Sequence, residues 1–156
     1  MRTVAQRVAS ARVTVAGELI GAIGPGLLVY VGVAPGDDAG TARHLASRLA
    51  TMRVFPDQDD RMNRSLLDGR GAALIVSQFT LFADLTGGHR PSFMGAGGPE
   101  LGRELCAALA EELRTLGVST VAEGRFGADM QVESVNDGPV TIVATTGEGP
   151  WQADCG

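Results

Sequence analysis

Val135-Asn136-Asp137-Gly138-Pro139-Val140-Thr141 decides how the last third of this chain is read. Two β-type runs flank it, Met130-Gln131-Val132-Glu133-Ser134-Val135 and Val140-Thr141-Ile142-Val143. Asn and Asp bond nearby backbone, Gly reaches φ values closed to other residues, and Pro fixes φ while removing a donor. The local expectation is a turn between two strands. A Gly-Pro pair at such a turn can also present two rigid, outward-pointing carbonyls with little side chain in the way. That makes it a candidate binding device as well as a connector.

Working outward, 156 residues with 44% hydrophobic and 20% charged side chains describe one folded domain with a proper core. The 22 glycines are scattered through turn positions without a repeat. A formal net charge of −5 argues against a broad basic nucleic-acid footprint. It leaves room for a grip on an RNA end by a few local cations, for which Arg2, Arg7, Arg12 and Arg90 are candidates. Cys106 and Cys155 form neither a CxxC nor a disulfide framework and fit a reducing compartment. The first residues carry no signal-peptide pattern, and the longest apolar run, Leu27 to Ala34, is far short of a bilayer span. A soluble, cytoplasmic protein is expected.

Taken in order, residues 2–8 and 11–16 read as two strands or one bent strand, with a hairpin into Ile20–Ile23. Leu27 to Ala34 is apolar on both faces and reads as a central strand. Pro35-Gly36-Asp37-Asp38 ends it and caps a helix from Thr41 to Arg53 that carries His44. The acid-rich stretch from Phe55 to Asp60 reads as a solvated loop, and Met62 to Asp68 as a short extended piece. Ala72 to Phe79 is another buried strand. Thr80 to Gly98 is a long loop of the kind that carries function. Pro99 opens a second helix, striped by Leu101, Leu105, Leu109, Leu113 and Leu116 and ended by Gly117. A strand over Val118–Ala122 precedes the two that flank Gly138-Pro139.

No HExxH, P-loop, GxGxxG or GxSxG motif is present, and no paired carboxylates stand at a turn or strand end. Chemistry is therefore sought where the buried strand surfaces, at Ser77-Gln78-Phe79-Thr80. Hydroxyl and amide groups there could form a small polar site, with Thr80 or Ser77 as nucleophile or orienting group and backbone amides as oxyanion donors. Strand-end hydroxyls satisfying local backbone would leave the same signature.

Ser77-Gln78-Phe79-Thr80-Leu81 together with Asn136-Asp137-Gly138-Pro139-Val140-Thr141 resembles the paired signature motifs of the D-aminoacyl-tRNA deacylases. The resemblance extends through Gln6-Arg7-Val8, Gly24-Pro25-Gly26-Leu27-Leu28, Met62-Asn63, Arg90-Pro91-Ser92-Phe93 and Gly124 to Met130. Phe82, where the family often has tyrosine, and Cys106, at an often aromatic position, depart from it, as does the stretch after Thr146.

The resemblance implies a homodimer in which a cis Gly138-Pro139 turn, held by Arg7, enters the partner's active site and rejects L-amino acids at the α-carbon. It assigns the catalytic positions to Ser77, Gln78, Phe79 and Thr80, and the substrate-binding positions to Gly138, Pro139, Arg7, Phe126 and Met130. The substrate it implies is D-aminoacyl-tRNA, bound by its 3′-terminal adenosine, with misattached glycyl esters also accepted. Chiral proofreading in translation would be the role. The terminal ribose's 2′-hydroxyl would assist hydrolysis, and no cofactor or metal is called for. The expected architecture is one α/β domain over residues 1–146, with mixed or antiparallel β-sheets and two helices packed on one side. A polar tail, 147–156, follows it, with Trp151 the one residue there suited to docking. Two other readings stand beside this one: a small-ester hydrolase with a Thr80 or Ser77 nucleophile, and a non-catalytic dimeric module that binds RNA ends.

Overall fold

The computed structural model describes residues 1–146, so the expected tail, with Trp151 and Cys155, lies outside the described residues. Strand β1 (Arg2–Val15) is continuous over fourteen residues and organises the rest. Its first half pairs antiparallel with β3 (Gly26–Gly32), and its second half with β2 (Glu18–Ile23). Parallel neighbours β6 (Ala72–Ser77) and β7 (Thr120–Glu123) extend the sheet beyond β3, and β8 (Gln131–Thr145) pairs antiparallel along β1. The order is β2-β1-β3-β6-β7 with β8 on β1, a mixed sheet in a single α/β domain.

The paired strands β3 and β6 explain the Gly24-Pro25-Gly26 break. A Cβ on Gly26 would stand 1.9 Å from the Ala72 carbonyl oxygen, so only glycine lets the strands meet there.

β1 serves two cores. Ala5 packs with Leu27, Val29, Ala73 and Ile75 beneath the helices, whereas Val8, Ala11 and Val13 pack with Leu28, Leu74 and Val76 on the other face. Register shifts in the β1–β8 ladder beside Val8 change which positions are buried, from Val8 to Ala11, three residues apart. The second half of β1, with β2, thereby closes over the face of the sheet that the helices leave open.

Helices α1 (Ala39–Thr51) and α3 (Pro99–Thr115) pack together on one side. Asp38 caps α1 in a reciprocal box with Thr41, and Pro99 takes the first turn of α3. A third helix corrects the expected pair: α2 (Leu66–Gly69) forms where an extended piece was read, because Ser65 and Asp68 build a capping box around four residues. The acid-rich stretch is not simply a loop. β4 (Phe55–Pro56) pairs with β5 (Met62–Arg64) in a small hairpin whose turn is stitched by the Asp57 carboxylate. No helix among the described residues is long and apolar enough to cross a membrane.

Gly138-Pro139 is not a hairpin turn. Both flanking segments pair with the same strand, Thr141 opposite Gln6 and Asn136 opposite Val8, so β8 runs on in one direction. Residues 137–140 are an excursion thrown out opposite Arg7. The hairpin reading fails because Asn-Asp-Gly-Pro turn chemistry serves a large bulge as well as it serves a reversal.

Candidate functional site

A cavity of about 610 Å³ opens at the C-terminal ends of the parallel strands β3 and β6. Open α/β sheets commonly bind ligands at that edge. Val31, Val33, Val76 and Ser77 form its base, Gln78, Phe79 and Phe93 one lip, and Phe126, Met130 and Val132 the opposite wall.

Glycines make this shape possible. A Cβ on Gly102 would lie 3.1 Å from the Phe126 ring, and one on Gly124 would lie 2.7 Å from the Met130 sulfur. Phe126 thus packs against α3 at Gly102, where the Arg103 guanidinium also covers its ring at 5.2 Å. Phe93 is held edge-on to Phe79, centroids 5.1 Å apart. The paired amides of Asp84 and Ser92 close its loop (2.8 and 2.9 Å), and the Gly97 amide ties the loop's end to the Val33 carbonyl at 2.7 Å.

The polar groups stand at the lip. β6 ends at Ser77 rather than Phe79, because the Gln78 amide donates to the Val31 carbonyl (2.7 Å) and the chain then turns into a short 3-10 helix, Phe79–Phe82. Amides at the start of a helix have no preceding acceptor within it, so those of Phe79 and Thr80 are available to a ligand. The Gln78 side-chain amide donates to the Thr80 hydroxyl, which leaves that hydroxyl's own proton free to be donated elsewhere.

Among the described residues Cys106, on α3, is the one ionisable side chain in the lining. Burial, helped by Glu123, pushes its thiol up to about 11, so it stays protonated and unreactive at neutral pH. What the site offers is orientation and polarisation by neutral donors within apolar walls.

Gly138, Pro139 and Arg7 lie elsewhere. Arg7 Nη1 donates to the Val54 carbonyl (2.7 Å) and Nε to the Asp137 carbonyl (3.2 Å), with the Asp137 carboxylate 3.1 Å from Nε. The Asn136 carboxamide oxygen receives the Val140 amide, closing the excursion's base. Within it the Gly138-Pro139 peptide is cis, Gly138 has φ +125°, and Asp137, Gly138 and Pro139 are exposed. Arg7 faces Leu27 on β3, four residues before Val31, which at about 3.3 Å per residue is roughly 13 Å from the cavity base. The structure therefore brings Ser77, Gln78, Phe79, Phe126 and Met130 to one cavity, with Thr80 beside it. Arg7, Gly138 and Pro139 gather at the opposite end of the strands.

Arg2, Arg7 and Arg12 do not converge. They are spaced along one strand, Arg2 over the Phe82 ring and Arg12 paired with Glu133 at 2.7 Å. His44 and His89 are exposed and outside the cavity lining. Among the described residues no three His, Cys, Asp or Glu side chains gather to hold a metal ion. Sequence reasoning missed Gly102 and Arg103, and it quoted Phe93 within Arg90-Pro91-Ser92-Phe93 without giving it a place in the site. The available signal was the pair of small residues Gly102 and Cys106, one helical turn apart beside the leucine stripe of α3.

Comparisons with known proteins place the chain in a family. The family model described as D-Tyr-tRNA(Tyr) deacylase matches residues 4–145. The D-aminoacyl-tRNA deacylase of Deinococcus radiodurans is 56% identical over 142 residues, covering 91% of this chain and 97% of that one. That of Roseiflexus sp. is 55% identical over 143 residues, 92% of each. Among solved structures, c-Myc DNA Unwinding Element Binding Protein superposes with a TM-score of 0.89 at 37% identity, covering 95% of this chain and all of that one. A probable eukaryotic D-amino acid tRNA deacylase shares the fold, with a TM-score of 0.81 at 17% identity over 91% of this chain and 97% of its own. The chain belongs to the D-Tyr-tRNA(Tyr) deacylase family, whose members are hydrolases.

Proposed function

We propose that the protein hydrolyses the ester joining a D-amino acid to the 3′-terminal adenosine of tRNA, and likewise glycine misattached to tRNA. It does so as a cytoplasmic homodimer whose exposed 137–140 excursion closes the partner's cavity. The observation that carries this reading is the separation of cavity and excursion at two ends of the same strands. A chain so built cannot use its own excursion on its own cavity, whereas two chains related by a two-fold axis can each complete the other. Family membership and the deacylase relatives supply the reaction.

The division of labour follows from the chemistry of each part. Phe126, Met130 and the valines form apolar walls of the kind a base stacks on. The Phe79 and Thr80 amides, at the start of the short helix and without acceptors in it, would serve as donors to the negative charge that develops on the ester carbonyl. With no carboxylate or imidazole in the lining among the described residues, the neighbouring 2′-hydroxyl of the terminal ribose is the group suited to assist the attacking water. Thr80 then orients the ester, its hydroxyl aligned by Gln78. The excursion discriminates with main-chain atoms next to the α-carbon. A substituent in the L-configuration meets it, a D-side chain points away, and glycine has nothing to exclude. Such a filter ignores side-chain identity, as a proofreader of many amino acids must.

Matched D- and L-tyrosyl-tRNA, with glycyl-tRNA alongside, test the proposal with purified protein. Release from the D- and glycyl esters with the L-ester spared is expected. Equal hydrolysis of both enantiomers sinks the filter, and binding without turnover on any ester favours the RNA-end module.

A further inference from the structure

A second cavity, about 330 Å³, shares no lining residue with the apolar cavity and connects to the excursion's base through Arg7, which bonds both Val54 and Asp137. Arg64, Arg70, Phe55, Pro56 and Pro25 line it, and Val54, next to Phe55, is the residue whose carbonyl Arg7 grips. Pro25 and Gly71 precede β3 and β6, which places it at the N-terminal ends of those strands.

Two features mark it as built. Arg70 follows α2 with φ +51°, a left-handed position that favours glycine, although glycines stand on both sides of it. Its carbonyl is held by the Ser119 hydroxyl (2.8 Å), while its guanidinium has no hydrogen-bond or ion-pair partner among the described residues. Arg64 uses one donor on the Asp68 carbonyl (2.6 Å) and keeps the rest. The nearby carboxylates are occupied: Asp68 accepts from the Ser65 amide and hydroxyl, and Asp57 from the Asp59 and Arg61 amides and Asn63. This acidic protein has 13 arginines and no lysine, and arginine is the side chain whose fork matches phosphate oxygens.

We infer that the Arg64–Arg70 cavity holds backbone phosphates of the tRNA whose 3′ end occupies the partner's apolar cavity. The inference rests on the cross-subunit reading. If the excursion of one subunit reaches the partner's site, the arginine cavity beside it stands at that site's mouth, where the RNA strand leaves. Two arginines there supply the cationic grip that the scattered arginines of β1 do not.

Arg70→Gly is the informative variant, because glycine suits the left-handed backbone and the fold is kept; Arg64→Gln is made with it. Steady-state hydrolysis is followed on D-tyrosyl-tRNA and on the D-tyrosyl ester of adenosine alone, over a series of salt concentrations. The double variant should raise KM for the tRNA about tenfold with kcat within twofold. It should flatten the dependence of log kcat/KM on log salt by about 0.7–0.9 for each phosphate no longer neutralised. The adenosine ester should be hydrolysed as by the parent, and the melting temperature should be unchanged or higher. An unchanged KM and salt slope on the tRNA overturns the inference. So does an equal loss on both substrates, which would make the arginines supports of the excursion. If the parent itself hydrolyses neither ester, the deacylase reading falls first and the phosphate site with it.

Discussion

Replacing Arg7 by methionine separates the placement of the excursion from its chemistry. The guanidinium makes two hydrogen bonds to main-chain carbonyls, at 2.7 Å to Val54 and 3.2 Å to Asp137, and a 3.1 Å ion pair to the half-exposed Asp137 carboxylate. A hydrogen bond from a charged donor contributes about 1.5–3 kcal/mol, and an exposed ion pair adds at most about 1 kcal/mol. Taking the part-buried Val54 bond as the main term, the ordered excursion loses about 2 kcal/mol, roughly a 30-fold drop in its occupancy relative to displaced positions. Methionine keeps the apolar stem of the side chain, and β8 pairs with β1 on both sides of the excursion, so the sheet survives. The expected result is D-over-L discrimination on tyrosyl-tRNA reduced at least tenfold, from faster L-ester hydrolysis or slower D-ester hydrolysis. The melting temperature should fall by only a few degrees. Arg7→Lys should lie between, since one ammonium spans two carbonyls poorly. An Arg7→Met protein with the parent's discrimination and rate would refute the role given to Arg7 as the clamp.

Gly102→Val should raise KM for the adenosine ester more than tenfold at unchanged or higher helix stability, because its side chain drives the Phe126 ring into the cavity; kinetics with a melt followed by circular dichroism check both halves. Thr80→Val should lower kcat about 10–100-fold with KM within threefold, and Thr80→Ser should recover most of it. Complete loss in Thr80→Val, with an acyl group trapped on the parent, would instead make Thr80 a nucleophile. Cys106 links stability to alkaline pH. Its thiol is raised in the folded state, so the stabilisation is complete below the unfolded value near 9 and is lost as pH rises through about 11. Urea unfolding from pH 8 to 11 should show the parent losing about 2 kcal/mol more than Cys106→Ala across that window.

Much of the fold was legible because local signals and burial agreed. The two-faced apolar runs did become the central parallel strands, and Asp38 and Pro99 did start helices. Where two structures share one local chemistry, sequence could not choose. Asn-Asp-Gly-Pro suits a reversal or an excursion, and only the common partner β1 decides between them. Ser65 to Asp68 was read as extended because its single helical turn is too short to show a period. The site divided in the same way. Ser77 to Thr80 surfaced from a buried strand and could be found, whereas the small pair Gly102 and Cys106 shows only that something packs close to α3, and which ring that is, Phe126, emerges only from the fold.

If two chains complete one another as proposed, the distance between cavity and excursion sets a rule for mixtures. A chain with a ruined cavity and a chain with a ruined excursion would each be silent when alone. Allowed to exchange partners, they would form mixed pairs in which the one sound cavity meets the one sound excursion, and a quarter of the original number of working sites would return at equal proportions. A single lesion diluted into sound chains would behave differently, costing each mixed pair one site and sparing the other. Inheritance of two defective copies could therefore restore what either copy alone had lost.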